Sequence, residues 1–228
     1  MIAFLNQLGL SVYRLELKGH RGLEFSDMAD VTAEGWLAQC NSAIEFMMEK
    51  LPGLPLFLIG YSLGGLLGVV VQVQRNKPCF ERQVLLAPAL ALKLYTRLAV
   101  PLTRVVPSLG AHAPRSYVAN PEGATGAAYR ALFDLERKMR TSKERELVLV
   151  NSPTLIFMRP NDELISYWGM KKFIARNKLD RWRLTPLPRK KCSYRELPFH
   201  HLLVDEKSVG EQSWQKMTRQ VENFFMRA

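Results

Sequence analysis

Cysteine is scarce. Three occur in 228 residues, at positions 40, 79 and 192, and none forms a C-x-x-C pair. So odd and scattered a set argues against a disulfide framework or a zinc site, and favours a reducing compartment; the expected location is the cytoplasm. Cys40 falls in an apolar helical stretch and is expected to be a small core residue. Long apolar runs are also missing. None approaches the roughly 20 residues needed to span a bilayer. The apolar opening MIAFLNQLGL is short and has neither a basic start nor a small-residue cleavage site, so it does not read as a signal peptide. Acidic residues are in deficit, 21 against 32 Lys and Arg, for a net charge of +11. The excess is concentrated at 171–195, where ten Lys or Arg face one acid, Asp180. This block reads first as a solvated face and second as a patch for anionic lipid headgroups, hence the expectation of peripheral membrane contact. No zinc-finger spacing and no aromatic RNA-binding strand is present, so charge alone speaks for a nucleic-acid partner and none is expected. No cofactor or metal is expected either.

What is present is ordinary globular composition, 47% hydrophobic and 23% charged, at a length that suits one medium domain. Strand-like and helix-like runs alternate. Strand chemistry marks Ser11–Leu17, Leu54–Gly60, Gln83–Ala87, Thr154–Met158 and Trp182–Pro186. Helical spacing marks Asp30–Lys50, Ser62–Gln74, Ser166–Asn177 and Val209–Arg227. The rhythm predicts an α/β fold, a mostly parallel sheet with helices on both faces. It breaks at 88–151, where prolines stand at 88, 101, 107, 114 and 121 and a helical segment covers Tyr129–Lys143. That stretch reads as a helical cap inserted into a core made of 1–87 and 152–228.

The sharpest motif is Gly60-Tyr-Ser62-Leu-Gly64, a G-x-S-x-G between an apolar strand and a helix. The serine of such a turn is lifted clear of the sheet at a helix N-terminus. Side chains at the two flanking glycines are expected to clash with neighbouring backbone. Ser62 is the candidate nucleophile, Leu63 N–H a candidate oxyanion donor, and Tyr61 a candidate substrate contact. A serine hydroxyl needs a base to take its proton. Four histidines occur, at 20, 112, 200 and 201. In G-x-S-x-G hydrolases the partners follow in the order Ser, acid, His, which leaves the tandem pair. His200 is preferred and His201 is the alternative. The acid should follow a buried strand, and Asp162 does so; the competing reading is an Asn-Asp turn former. Its neighbour Glu163 is expected to point away from the site.

With these residues in place, the chain resembles the monoacylglycerol lipase and lysophospholipase group of the α/β-hydrolase superfamily. The likeness is carried by Leu17-Lys-Gly-His-Arg-Gly22, by Gly60–Gly65 (GYSLGG), and by Pro153–Ser166 followed by His200–Asp205. It implies an ester hydrolase acting through an acyl-enzyme, with a lysophospholipid or monoacylglycerol as substrate. It also implies a lid over an acyl-chain tunnel, a role that the leucine-rich run at 90–102 would suit. There are three departures. The first strands of the family, and the H-G-type loop that donates a second oxyanion N–H, have no counterpart before Met1. Arg159-Pro160 stands where the family commonly has glycine. The Asp162-to-His200 separation is longer than expected, with a basic loop around 186–192. A second reading keeps the fold and a ligand pocket without catalysis, as a lipid or protein binding module.

Overall fold

The computed structural model describes residues 1–20, 25–98, 101, 103, 108–110, 114–117, 123–142, 144–189 and 199–226. Its centre is a four-stranded, all-parallel sheet. The strands are β1 (Phe57–Tyr61), β2 (Arg82–Leu86), β5 (Thr154–Met158) and β6 (Trp182–Pro186), in the spatial order β1-β2-β5-β6. The two central strands are apolar on both faces: Val84, Leu85 and Leu86 and then Leu155 to Met158 are all buried. Continuous apolar runs of this kind are what a sheet covered on both sides requires. A two-stranded antiparallel pair, β3 (Ser108–Leu109) with β4 (Ala124–Thr125), lies outside the main sheet.

The two faces can be told apart along β1. The Leu58 side chain crowds Gly68 of helix α3 (Leu63–Arg75), whereas the Phe57 ring stacks on Phe225 of α9 (Glu211–Met226), centroids 4.8 Å apart. Successive strand residues point to opposite faces, so α3 and α9 cover opposite sides of the sheet. Behind α3 packs α2 (Ala33–Lys50), which buries Trp36, Leu37, Cys40 and Ile44. Burial pushes the Cys40 thiol up to about 12, in keeping with a core residue. Among the described residues no helix is long and apolar enough to cross a membrane.

The structure differs from the sequence reading in three places. Ser11–Leu17 has no regular secondary structure and joins no sheet among the described residues. Leu15 and Leu17 pack against the core and Tyr13 lies against Phe46 of α2, so the alternation of a strand is used for side-chain contact without a pairing partner. The closing helix, α9, is preceded by a short helix that the sequence pattern does not announce, α8 (Glu206–Val209), and the two are parted by Gly210 at φ +93°, a conformation L side chains rarely adopt. Within 88–151, α5 (Gly126–Thr141) begins three residues earlier than expected because Thr125 caps it, its hydroxyl accepting from Ala128 N–H. Ala127, Ala128, Ala131, Leu135 and Met139 of α5 join the main core alongside α2 and α3. The second half of the expected cap is therefore part of the core layer. Arg21, Gly22, Val100, Leu102, His112, Cys192 and Lys190–Arg195 of the earlier readings lie outside the described residues.

Candidate active site

Parallel strands put all their carboxyl ends on one edge of the sheet, where α/β folds bind ligands. Ser62 follows β1, the 159–165 turn follows β5, and the chain leaving β6 leads to the histidine pair.

Ser62 sits at φ 47°, ψ −110°, in left-handed space that favours glycine. Three backbone hydrogen bonds hold it there. Its N–H donates to the Leu86 carbonyl at 2.9 Å, and its own carbonyl accepts from Ala89 and Leu66. A serine at a helix N-cap ordinarily turns its hydroxyl back to the first turn of the helix. Ser62 makes no such capping bond. Its Oγ lies 2.9 Å from His201 Nε2 instead.

The glycines around it play unequal parts. A Cβ at Gly60 would meet Gly65 backbone at 2.7 Å, and a Cβ at Gly65 would meet Pro88 at 2.8 Å. A Cβ at Gly64 would meet nothing within 4 Å. The expectation that both motif glycines are needed is corrected: Gly60 is required by close packing of strand against helix, the partner glycine is Gly65, and Gly64 has room for a side chain.

Of the tandem histidines, the structure brings His201, and not the preferred His200, to Ser62. His201 Nδ1 lies 2.8 Å from Asp162 Oδ2, which completes a chain from Ser62 through the imidazole to the acid. The two histidines are adjacent in a turn and their rings diverge: His200 Nδ1 lies 3.3 Å from Glu163 Oε1, away from the serine. Asp162 is fully buried. Its second oxygen, Oδ1, accepts the N–H groups of Leu164 and Ile165, each at 2.8 Å. The Asx-type turn and the role as histidine partner, weighed as alternatives in the sequence, are thus both present in one side chain. An ionised Asp162 can only accept, so Nδ1 carries the proton and Nε2 is left to accept from Ser62.

Tyr61 packs its ring 5.3 Å from that of His201. Burial pushes its phenol well above the ordinary tyrosine value, and the Asp162 and Glu163 carboxylates push the same way. Tyr61 is therefore a neutral wall beside the imidazole. Leu63 opens α3, so its N–H has no carbonyl four residues back within the helix.

Two contributors escaped the sequence reading. Glu163 does not point away: its two oxygens accept the N–H groups of His200 and His201. Arg159, noted only as a departure from glycine, is completely buried and donates to carbonyls of the histidine loop. An arginine and a glutamate within three residues of the candidate acid were the available signal.

Among curated proteins, none matches the chain by sequence. Several solved structures share its fold. One, from work on the metagenome-derived lipolytic enzymes LipS and LipT, aligns with a TM-score of 0.67 at 18% identity, over 93% of this chain and 80% of that one. The monoacylglycerol lipase of Paleococcus ferrophilus aligns with 0.67 at 19% identity, over 97% and 85%. A soluble variant of the Saccharomyces cerevisiae monoglyceride lipase aligns with 0.65 at 13% identity, over 87% and 71%. Residues 1–148, which include the Ser62 turn, match the family described as serine aminopeptidase, S33. A sequence match over well more than half its length, on a fold shared along almost all of it, makes this chain a member of that family, within the α/β-hydrolase superfamily.

Proposed function

We propose that the protein is a serine hydrolase that cleaves carboxylic esters, with Ser62 as nucleophile, His201 as general base and Asp162 as the acid that orients it. One observation carries the reading: Ser62 Oγ, His201 and Asp162 form a continuous hydrogen-bonded chain at 2.9 and 2.8 Å on a serine held in a strained turn.

The mechanism follows from those atoms. Ser62 Oγ attacks the acyl carbon while its proton passes to His201 Nε2. Asp162 stabilises the imidazolium through Nδ1–H. The oxyanion that forms takes the N–H of Leu63, aided by the N-terminal end of α3. His201 returns its proton to the leaving alkoxide, leaving an acyl-enzyme. A water deprotonated by the same histidine then releases the acid and frees Ser62.

A lipid-like ester, either a lysophospholipid or a monoacylglycerol, is the proposed substrate. The likeness in fold to lipolytic enzymes and to two monoacylglycerol lipases supports it. So does the exposed apolar surface beside the acid turn: Leu94 and Tyr95 open α4 (Leu94–Leu98), and the Tyr95 hydroxyl donates to the Glu163 carbonyl. Peripheral contact with anionic membrane is proposed for the start of α7 (Tyr167–Arg176), where exposed Trp168 carries the Lys171 ammonium 4.7 Å from its ring centroid.

The test is a fluorophosphonate probe with Ser62→Ala as control. Covalent labelling of the parent protein, lost in the variant, is the expected result. Absence of labelling on Ser62 would falsify the enzyme reading and favour a binding module. A panel of acyl glycerols, lysophospholipids and aminoacyl anilides then separates ester from amide cleavage.

A further inference from the structure

We propose that Glu163 is a positioning residue that fixes where His201 sits, with Arg159 completing the grip from the opposite side. The inference rests on the reading of Ser62, His201 and Asp162 as a triad.

A catalytic imidazole has two freedoms, the rotation of its ring and the location of its backbone. Asp162 controls the first through Nδ1. The second falls to its neighbours on the same turn. Glu163 Oε1 accepts the His200 N–H at 2.6 Å, and Oε2 accepts the His201 N–H at 2.9 Å. These are charge-assisted bonds from consecutive amides to one carboxylate, stronger than neutral pairs. Arg159 holds the carbonyls. Nη1 donates to His200 at 3.1 Å and to Leu202 at 3.3 Å, Nη2 to Ser208 at 3.3 Å and Val209 at 2.9 Å, and Nε to Pro188 at 3.2 Å. All five N–H groups of the guanidinium thus meet backbone oxygens. The Ser208 and Val209 carbonyls close α8, where helix carbonyls lack intrahelical partners.

The two holds meet on one peptide unit. The bond joining His200 to His201 has its carbonyl held by Arg159 and its N–H held by Glu163. That peptide plane cannot tilt without breaking an ionic hydrogen bond, and the His201 Cα moves with it. The β5–α7 turn therefore sets both the ring and the backbone of the base. Placement matters at this scale, since an error of about 1 Å in a catalytic group can cost roughly 100-fold in rate.

The experiment compares Glu163→Gln, Glu163→Ala and Arg159→Lys with the parent protein. Active sites are counted by fluorophosphonate labelling of Ser62, and turnover is followed on a short-chain p-nitrophenyl ester. Gln keeps one acceptor and loses the charge; Ala loses both. Turnover per labelled site should fall about 10-fold in Glu163→Gln and about 100-fold in Glu163→Ala, with KM unchanged and labelling slowed in the same order. Arg159→Lys should behave like Glu163→Gln. If it does not fold, the glutamate pair still decides. Turnover per labelled site equal to the parent's in both Glu163 variants, with only thermal stability reduced, overturns the proposal and leaves a structural role. A parent protein that takes no label overturns the triad reading, and the positioning role with it; a labelled parent with unaffected Glu163 variants overturns the positioning role alone.

Discussion

The two flanks of Ser62 are built on different principles. On the side of β2, β5 and β6, each group is fixed by several hydrogen bonds to or from the backbone: Ser62 by Leu86 and Ala89, Asp162 by Leu164 and Ile165, the histidine pair by the side chains of Glu163 and Arg159. On the other side, residues 11–20 are held through side chains of α2. Trp36 Nε1 donates to the Lys18 carbonyl, Gln39 accepts the Lys18 N–H, and Tyr13 rests on Phe46. On the first flank each group meets two or more backbone partners, whereas on the second both hydrogen bonds go to the backbone of one residue, Lys18. The denser set of bonds surrounds the Ser62, His201 and Asp162 chain, and the sparser one lies over α2.

Substitutions on each side sharpen this contrast. The largest effect should come from the tandem pair. His201→Ala should lose on the order of 10⁶-fold in kcat, as expected for a triad base, while His200→Ala keeps most activity because its ring faces Glu163 and not Ser62. Equal losses in the two variants, read by ester hydrolysis, would break the assignment. At the hinge between the flanks, Gly60→Ala should cost about 1–3 kcal/mol or more by overpacking, and Gly64→Ala should cost nothing or gain up to about 1 kcal/mol of helix propensity. Denaturant unfolding of both variants decides this. On the covering flank, Trp36→Phe removes the bond to Lys18 and should cost about 1 kcal/mol with turnover per labelled site intact; a loss of turnover would show that this flank also aligns chemistry.

An effect confined to one pH range is expected at Asp205, the N-cap of α8, whose carboxylate accepts the Ser208 N–H and the Tyr117 hydroxyl. Burial alone would raise its pKa, but the Ser208 bonds and the Tyr117 hydroxyl outweigh it and hold the folded value below the ordinary 3.8. The contribution is therefore full above pH 3.8 and lost as pH falls through the lower folded value. Asp205→Ala should cost about 1 kcal/mol near neutrality, and the gap to the parent should close in acid. A gap constant down to pH 2 would remove the carboxylate from the account.

Much of this was legible in the sequence. Apolar runs such as LPLFLIG and TLIFM announce strands buried on both faces, and the G-x-S-x-G that follows the first fixes the serine, because strand, turn and helix are local patterns. Asp162 could be read for the same reason. The choice between His200 and His201 could not. Neighbouring residues in a turn differ only in which way their side chains leave the backbone, and here that direction is set by Glu163, distant in sequence. The same limit hid Arg159, whose partners lie about 30 to 50 residues away. The amphipathic pattern of α5 likewise says that one face is buried without saying against what, and here the partners are α2 and α3.

The geometry of Ser62 carries a further consequence. A non-glycine residue in such a backbone state costs about 1–3 kcal/mol, and glycine would release most of it. In a chain of this size each kilocalorie is worth roughly 2–4 °C of melting temperature. Heat tolerance and reactivity are thus set against each other at a single position. A laboratory selection for thermal resistance alone would favour Ser62→Gly, at the loss of the hydroxyl that faces His201.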